Sequence, residues 1–143
     1  MTQSAADALC QFIPPFMRYL REGLAEVDMS PARFQIMQAL HQQQALSMVD
    51  LATRLSVTKR NITSLVDGLE KDGLAARHPH PTDRRSTLVM LTPAGTLAFS
   101  GAADVQRDHL TSLLGNLDVT QQKELALTLR HLIDAMKVKI GSD

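Results

Sequence analysis

Apolar side chains recur every three or four residues over most of this chain, and the breaks in that period mark its elements. From Asp7 to about Val27, Leu9, Phe12, Ile13, Phe16, Met17, Leu20 and Leu24 predict a helix. Pro14 and Pro15 interrupt it, and a proline lacks a backbone donor and crowds the preceding turn, so a kink or a restarted helix is expected. Ser30 as N-cap, with Pro31 at the first helical position, opens a second helix carrying Phe34, Met37 and Leu40 on one face. Ser47 followed by Asp50 has the spacing of a capping arrangement ahead of Leu51 and Leu55. Thr58 caps the next helix, where Ile62, Leu65, Val66 and Leu69 fall at i, i+3, i+4 and i+7, and Gly73 stops it. "LAARHPH" and "STLVMLT" are short extended runs that predict a β-hairpin. Thr92 and Pro93 then start a helix running to about Leu114, and Gly115 and Asn116 end it. A last helix, starting at Asp118 or Thr120, carries the stripe Leu125, Leu129, Leu132, Ile133, Met136 and Ile140.

Composition narrows the classes. With 143 residues and 44% apolar side chains, one domain with a real core is expected. No apolar run approaches the roughly 20 residues of a membrane span. "MTQSAADALCQFIPPFM" lacks a basic start followed by an unbroken apolar stretch, so no secretory signal is expected. The single cysteine suits a reducing compartment, and the expected location is the cytoplasm. Phosphate-loop, CxxC, HExxH and GxSxG motifs are absent, so an enzyme is not expected, nor is any cofactor or metal.

The balance of 15 basic and 15 acidic residues hides an uneven distribution. Residues 54–85 hold seven positive charges (Arg54, Lys59, Arg60, Lys71, Arg77, Arg84, Arg85) against four negative; residues 1–53 hold three against five. In that basic third, two short helices joined by a tight turn precede a hairpin, the order of a winged helix-turn-helix. The major groove admits one helix, and a helix N-terminus aims amide donors and partial positive charge at phosphate. Thr58, Lys59, Arg60, Asn61, Thr63 and Ser64 stand in or beside the first turns, with side chains able to meet base edges or phosphates. Arg84 and Arg85 lie at the hairpin tip, suited to a neighbouring minor groove, with Asp83 placed to orient one of them. His78 and His80 are read as lying near phosphates.

The stretch "DLATRLSVTKRNITSLVDGLEKDGLAARHPHPTDRRSTLVMLTPAGTLAF", residues 50–99, resembles the central region of the MarR family of bacterial transcriptional regulators. "LVDGLEKDGL" and the wing signature Asp83, Arg85, Leu91 and Thr92 carry the likeness best. The resemblance implies a mainly α fold with a small β-hairpin wing, a winged helix-turn-helix lobe over 30–92, and dimerisation helices over 1–28 and 110–143 of a single 1–143 domain. It further implies a homodimeric repressor on a palindromic operator in double-stranded DNA, released by a small ligand or an oxidant. Gly68 departs from the family, which often has a larger polar residue there, and should weaken its helix slightly; the Pro14–Pro15 pair is a second departure.

Three effector readings follow from that likeness. One branch of the family senses organic peroxides through one cysteine in the first helix, the place of Cys10; a reactive thiolate needs exposure and a lowered pKa. No Lys or Arg lies within a helical turn of Cys10, which favours an inert side chain. Zinc, held in some relatives between the first two helices and the one after the wing, would need Cys10, Glu22, Glu26, His41 and His109 to converge, and no pair of them has ligand-like local spacing. The default is a small hydrophobic or aromatic ligand, with Phe12, Phe16, Met17, Met37 and His41 as candidate contacts. A winged-helix module that binds protein instead would be expected to lose the groove-facing bases that this chain keeps.

Overall fold

Ser4, Ser30, Ser47 and Thr58 stand in extended backbone, and each accepts a hydrogen bond from the amide three residues on, at 3.0–3.2 Å. These caps satisfy amides that a helix start leaves unpaired. They open α1 (Ala5–Ala25), α2 (Pro31–Gln43), α3 (Met48–Leu55) and α4 (Lys59–Lys71) in a computed structural model that describes residues 3–140. Helix α1 does not restart at the prolines: it is one helix with Pro14 and Pro15 inside it. Each ring fixes φ near the helical value, so the pair removes two bonds, to the Cys10 and Gln11 carbonyls, without dictating a different backbone.

Between α3 and α4, Ser56 adopts left-handed backbone (φ 54°, ψ 44°), and the Ser56 and Val57 amides bond back to the last turn of α3. That closes the corner in three residues. After α4, Gly73 takes φ 74° and turns the chain into β2 (Ala75–Pro79), which pairs antiparallel with β3 (Thr87–Leu91) from Ala75–Leu91 to Pro79–Thr87. A strand the hydrophobic pattern did not announce, β1 (Ala45–Ser47), pairs with the other edge of β3, so the sheet order is β1-β3-β2.

Ile36, Met37 and Leu40 of α2, Leu51 of α3, Ile62, Val66 and Leu69 of α4, and Val89 of β3 are buried together, with Phe99 and Ala102 of α5 (Pro93–Leu114) in the same cluster. Thr92 Oγ1 donates to the Gly73 carbonyl (2.6 Å) and accepts from the Gly95 amide (3.0 Å), joining the start of α5 to the end of α4. Residues through Arg107 form one compact unit and those from Asp108 a second. In the second, Asp118 and Gln121 bond each other's backbone amides (2.8 and 3.0 Å), a reciprocal cap that starts α6 (Val119–Ile140). On α6, Leu125 is half-buried, while Leu129, Leu132, Ile133 and Met136 are exposed; the side chain of Ile140 lies outside the described residues. No described helix is long and apolar enough to cross a membrane.

Candidate nucleic-acid interface

The buried face of α4, carrying Ile62, Val66 and Leu69, turns its other face outward, where Lys59, Arg60, Asn61, Thr63 and Ser64 are all exposed. Thr58 spends its oxygen on capping the Asn61 amide, and the Thr63 hydroxyl donates to the Lys59 carbonyl at 2.8 Å. Both therefore shape the helix start, and Lys59, Arg60, Asn61 and Ser64 supply the outward chemistry. Unpaired amides of the first turn add positive potential at the same end.

The wing tip spans residues 80–86. The His80 amide bonds the Ser86 carbonyl (3.2 Å), and the Ser86 amide bonds the Asp83 carbonyl (3.1 Å), with Arg84 and Arg85 central in that turn. Asp83 Oδ1 accepts from the Arg85 backbone amide at 3.0 Å, so it orients Arg85 through the main chain and not through the guanidinium. His80 Nδ1 faces the amides of Thr82 (3.2 Å) and Asp83 (3.0 Å), a role for which the residue pattern offered only the spacing His80-Pro81-Thr82-Asp83.

Ion pairing sorts the cations. Arg77 on β2 reaches Asp67 (2.7 Å) and Glu70 (2.6 Å) of α4, tying the wing to the helix beside it. Its pKa is raised, chiefly by the hydrogen bond with Asp67 and then by the nearby carboxylates, against an opposing effect of burial. A raised cationic pKa gives a contribution fully present below the ordinary arginine value, so the bridge persists through the neutral range. Arg33 on α2 pairs with Asp72 at 2.7 Å. Among the described residues, Lys59, Arg60, Arg84 and Arg85 have no such carboxylate partner. Of the seven basic residues in 54–85, Arg77 is thus tied into the fold; Lys59, Arg60, Arg84 and Arg85 stand at the helix start and the wing tip, and Arg54 and Lys71 are exposed elsewhere.

The other candidates sit in different settings. Phe12 and Phe16 stack on α1 with centroids 4.7 Å apart, Met17 is exposed on the same helix, Met37 is fully buried in the core, and His41 lies against Phe99 at 5.0 Å. A hollow of about 300 Å³ beside α2 and α3 is lined by Gln35, Gln38, Ala39, Gln42, Arg54 and Leu55, none of them among those five. Cys10 is exposed on α1. No group of three potential metal ligands is formed among the described residues.

A model of the MarR family matches residues 29–87. The chain is 33% identical over 117 residues to the multiple antibiotic resistance protein MarR of Escherichia coli K12, covering 81% of each. It is 30% identical over 106 residues to the HTH-type transcriptional repressor YetL of Bacillus subtilis, covering 62% of this chain and 64% of that protein. Several curated relatives, YetL among them, are matched over only about half to two thirds of their length. The crystal structure of a cysteine-to-serine mutant of E. coli MarR superposes with a TM-score of 0.84 at 24% identity, covering 93% of this chain and 98% of that one. The same mutant complexed with operator DNA gives 0.67 at 28% identity, covering 80% and 83%.

Proposed function

The chain belongs to the MarR family, and from that premise we propose that it is a DNA-binding transcriptional regulator, a cytoplasmic homodimer that represses from a palindromic operator and responds to a small hydrophobic or aromatic ligand. Helix α4 enters the major groove by its N-terminal turns, with Lys59 and Arg60 on phosphate or guanine, and Asn61 and Ser64 reaching base edges. Arg84 and Arg85 enter the adjoining minor groove, where narrow A·T-rich sequence concentrates negative potential. One observation carries this reading: the helix start and the wing tip keep their cations unpaired, while Arg33 and Arg77 are tied into ion pairs. A relative whose structure contains operator DNA supports it, as does one named a transcriptional repressor.

The test is a titration of the full-length protein against its own upstream DNA at several salt concentrations. Affinity should fall steeply with salt, and Lys59→Ala should lower the slope of log K against log salt by about one. Binding that is insensitive to salt, or equally tight to every duplex, would sink the assignment.

A further inference from the structure

We propose that His80 is a positioning residue of the wing: its Nδ1, kept as an unprotonated acceptor, holds the turn that presents Arg84 and Arg85, an inference that rests on the wing contacting DNA. The loop from Pro79 to Thr87 is longer than most hairpin connections, so something must hold its shape. Pro81 has no N–H, which leaves six backbone donors in residues 80–86. Those of His80, Thr82, Asp83, Arg85 and Ser86 are bonded inside the tip, and two of the five go to His80 Nδ1. The Thr82 hydroxyl lies 3.3 Å from the same nitrogen.

A neutral imidazole has one acceptor nitrogen. Since main-chain N–H groups can only donate, Nδ1 must carry the lone pair and Nε2 the proton. The side chain therefore acts here as asparagine or serine does at a turn, gathering the amides two and three residues on. The half-buried ring is fixed to the backbone that leads into Asp83, and Asp83 in turn holds the Arg85 amide and the Ser86 amide. The chain of support runs His80, Asp83, Arg85. Without its first member the tip samples many shapes, and ordering it on DNA then opposes binding.

Asparagine and glutamine separate this role from mere bulk. The Asn oxygen can occupy the place of Nδ1, whereas the Gln oxygen corresponds in reach to Nε2 and leaves the two amides unmet. The experiment measures full-length protein by fluorescence anisotropy on the duplex that it enriches from a randomised library, alongside nitrogen NMR of the His80 ring in free protein. The ring should be the Nε2–H tautomer; His80→Ala and His80→Gln should weaken binding about tenfold, and His80→Asn should stay within about twofold of the native chain. A Nδ1–H tautomer, a His80→Gln variant that binds like the native chain, or a His80→Asn variant as weak as His80→Ala overturns the proposal. The double variant Arg84→Ala/Arg85→Ala serves as reference. If it is weakened while His80→Ala is not, only the proposal falls; if it binds like the native chain, the wing reading falls and takes the proposal with it.

Discussion

Arg85 and Gly95 show how single residues here answer to different demands. The Arg85 guanidinium has no carboxylate partner among the described residues, while its backbone amide is held by Asp83 at 3.0 Å. Its removal should therefore cost little stability and much binding: about 1–3 kcal/mol of operator affinity for Arg85→Ala, with the melting temperature nearly unchanged. An unaltered operator titration for Arg85→Ala would show that this side chain reaches no groove. Gly95 is the reverse case. A Cβ there would lie 1.9 Å from the Leu74 carbonyl oxygen, backbone that cannot swing aside, and the Thr92–Gly95 bond would be displaced with it. Gly95→Ala should lose about 3 kcal/mol or more in denaturant unfolding, and a loss under about 1 kcal/mol would mean that the helix start shifts freely.

At the scale of elements, α4 is where the residue pattern could be followed furthest. Thr58, the apolar positions and Gly73 make both ends and the inner face of that helix readable from local rules, as Ser30 and Pro31 do for the start of α2. Strand β1 was not readable, because three residues are too short to show alternation and their partner on β3 lies over 40 positions away. The continuity of α1 through two prolines was also hidden, since the lost bonds and the crowded turn argue for a break while the fixed φ is compatible with helix. At the site, exposed Lys59, Arg60, Arg84 and Arg85 could be anticipated, but Arg77 looked the same in sequence and only its contacts with Asp67 and Glu70 set it apart. Gly68 is a similar case. Its place on α4 reads as a weakness, yet a Cβ there would come within 2.8 Å of the Arg33 guanidinium, which crosses it to reach Asp72. Gly68→Ala should gain up to about 1 kcal/mol of helix propensity and lose at most about 1 kcal/mol from an ion pair between part-exposed side chains. The two oppose each other, so unfolding should move by no more than about 1 kcal/mol either way. A larger loss would mean that the Arg33–Asp72 bridge matters more to the seat of α4 than its exposure suggests.

For the whole molecule, α6 leaves an apolar face that its own unit does not cover. Leu129, Leu132, Ile133 and Met136 are each 40–53% exposed. Leu125, Leu129, Leu132 and Met136 repeat at alternating four- and three-residue steps, the seam along which helices associate. A second copy related by a two-fold axis would place the same seam against itself and bring two α4 helices to bear on one palindrome, with half-sites about one DNA turn apart. Leu132→Asp puts a charge in the middle of that seam, where no basic partner is available on its own stripe. Dimerisation and specific binding should then fail together in sedimentation velocity and operator titration at micromolar protein. The helical signal of circular dichroism should stay largely intact, because Leu132 is 40% exposed within the chain itself and leaves little of a cavity behind. Binding through a single α4 and wing would survive only as the weak, salt-governed attraction that any basic surface has for DNA. A Leu132→Asp protein that sediments as a dimer, or a monomer that still holds the palindrome tightly, would place the two-fold contact somewhere other than α6.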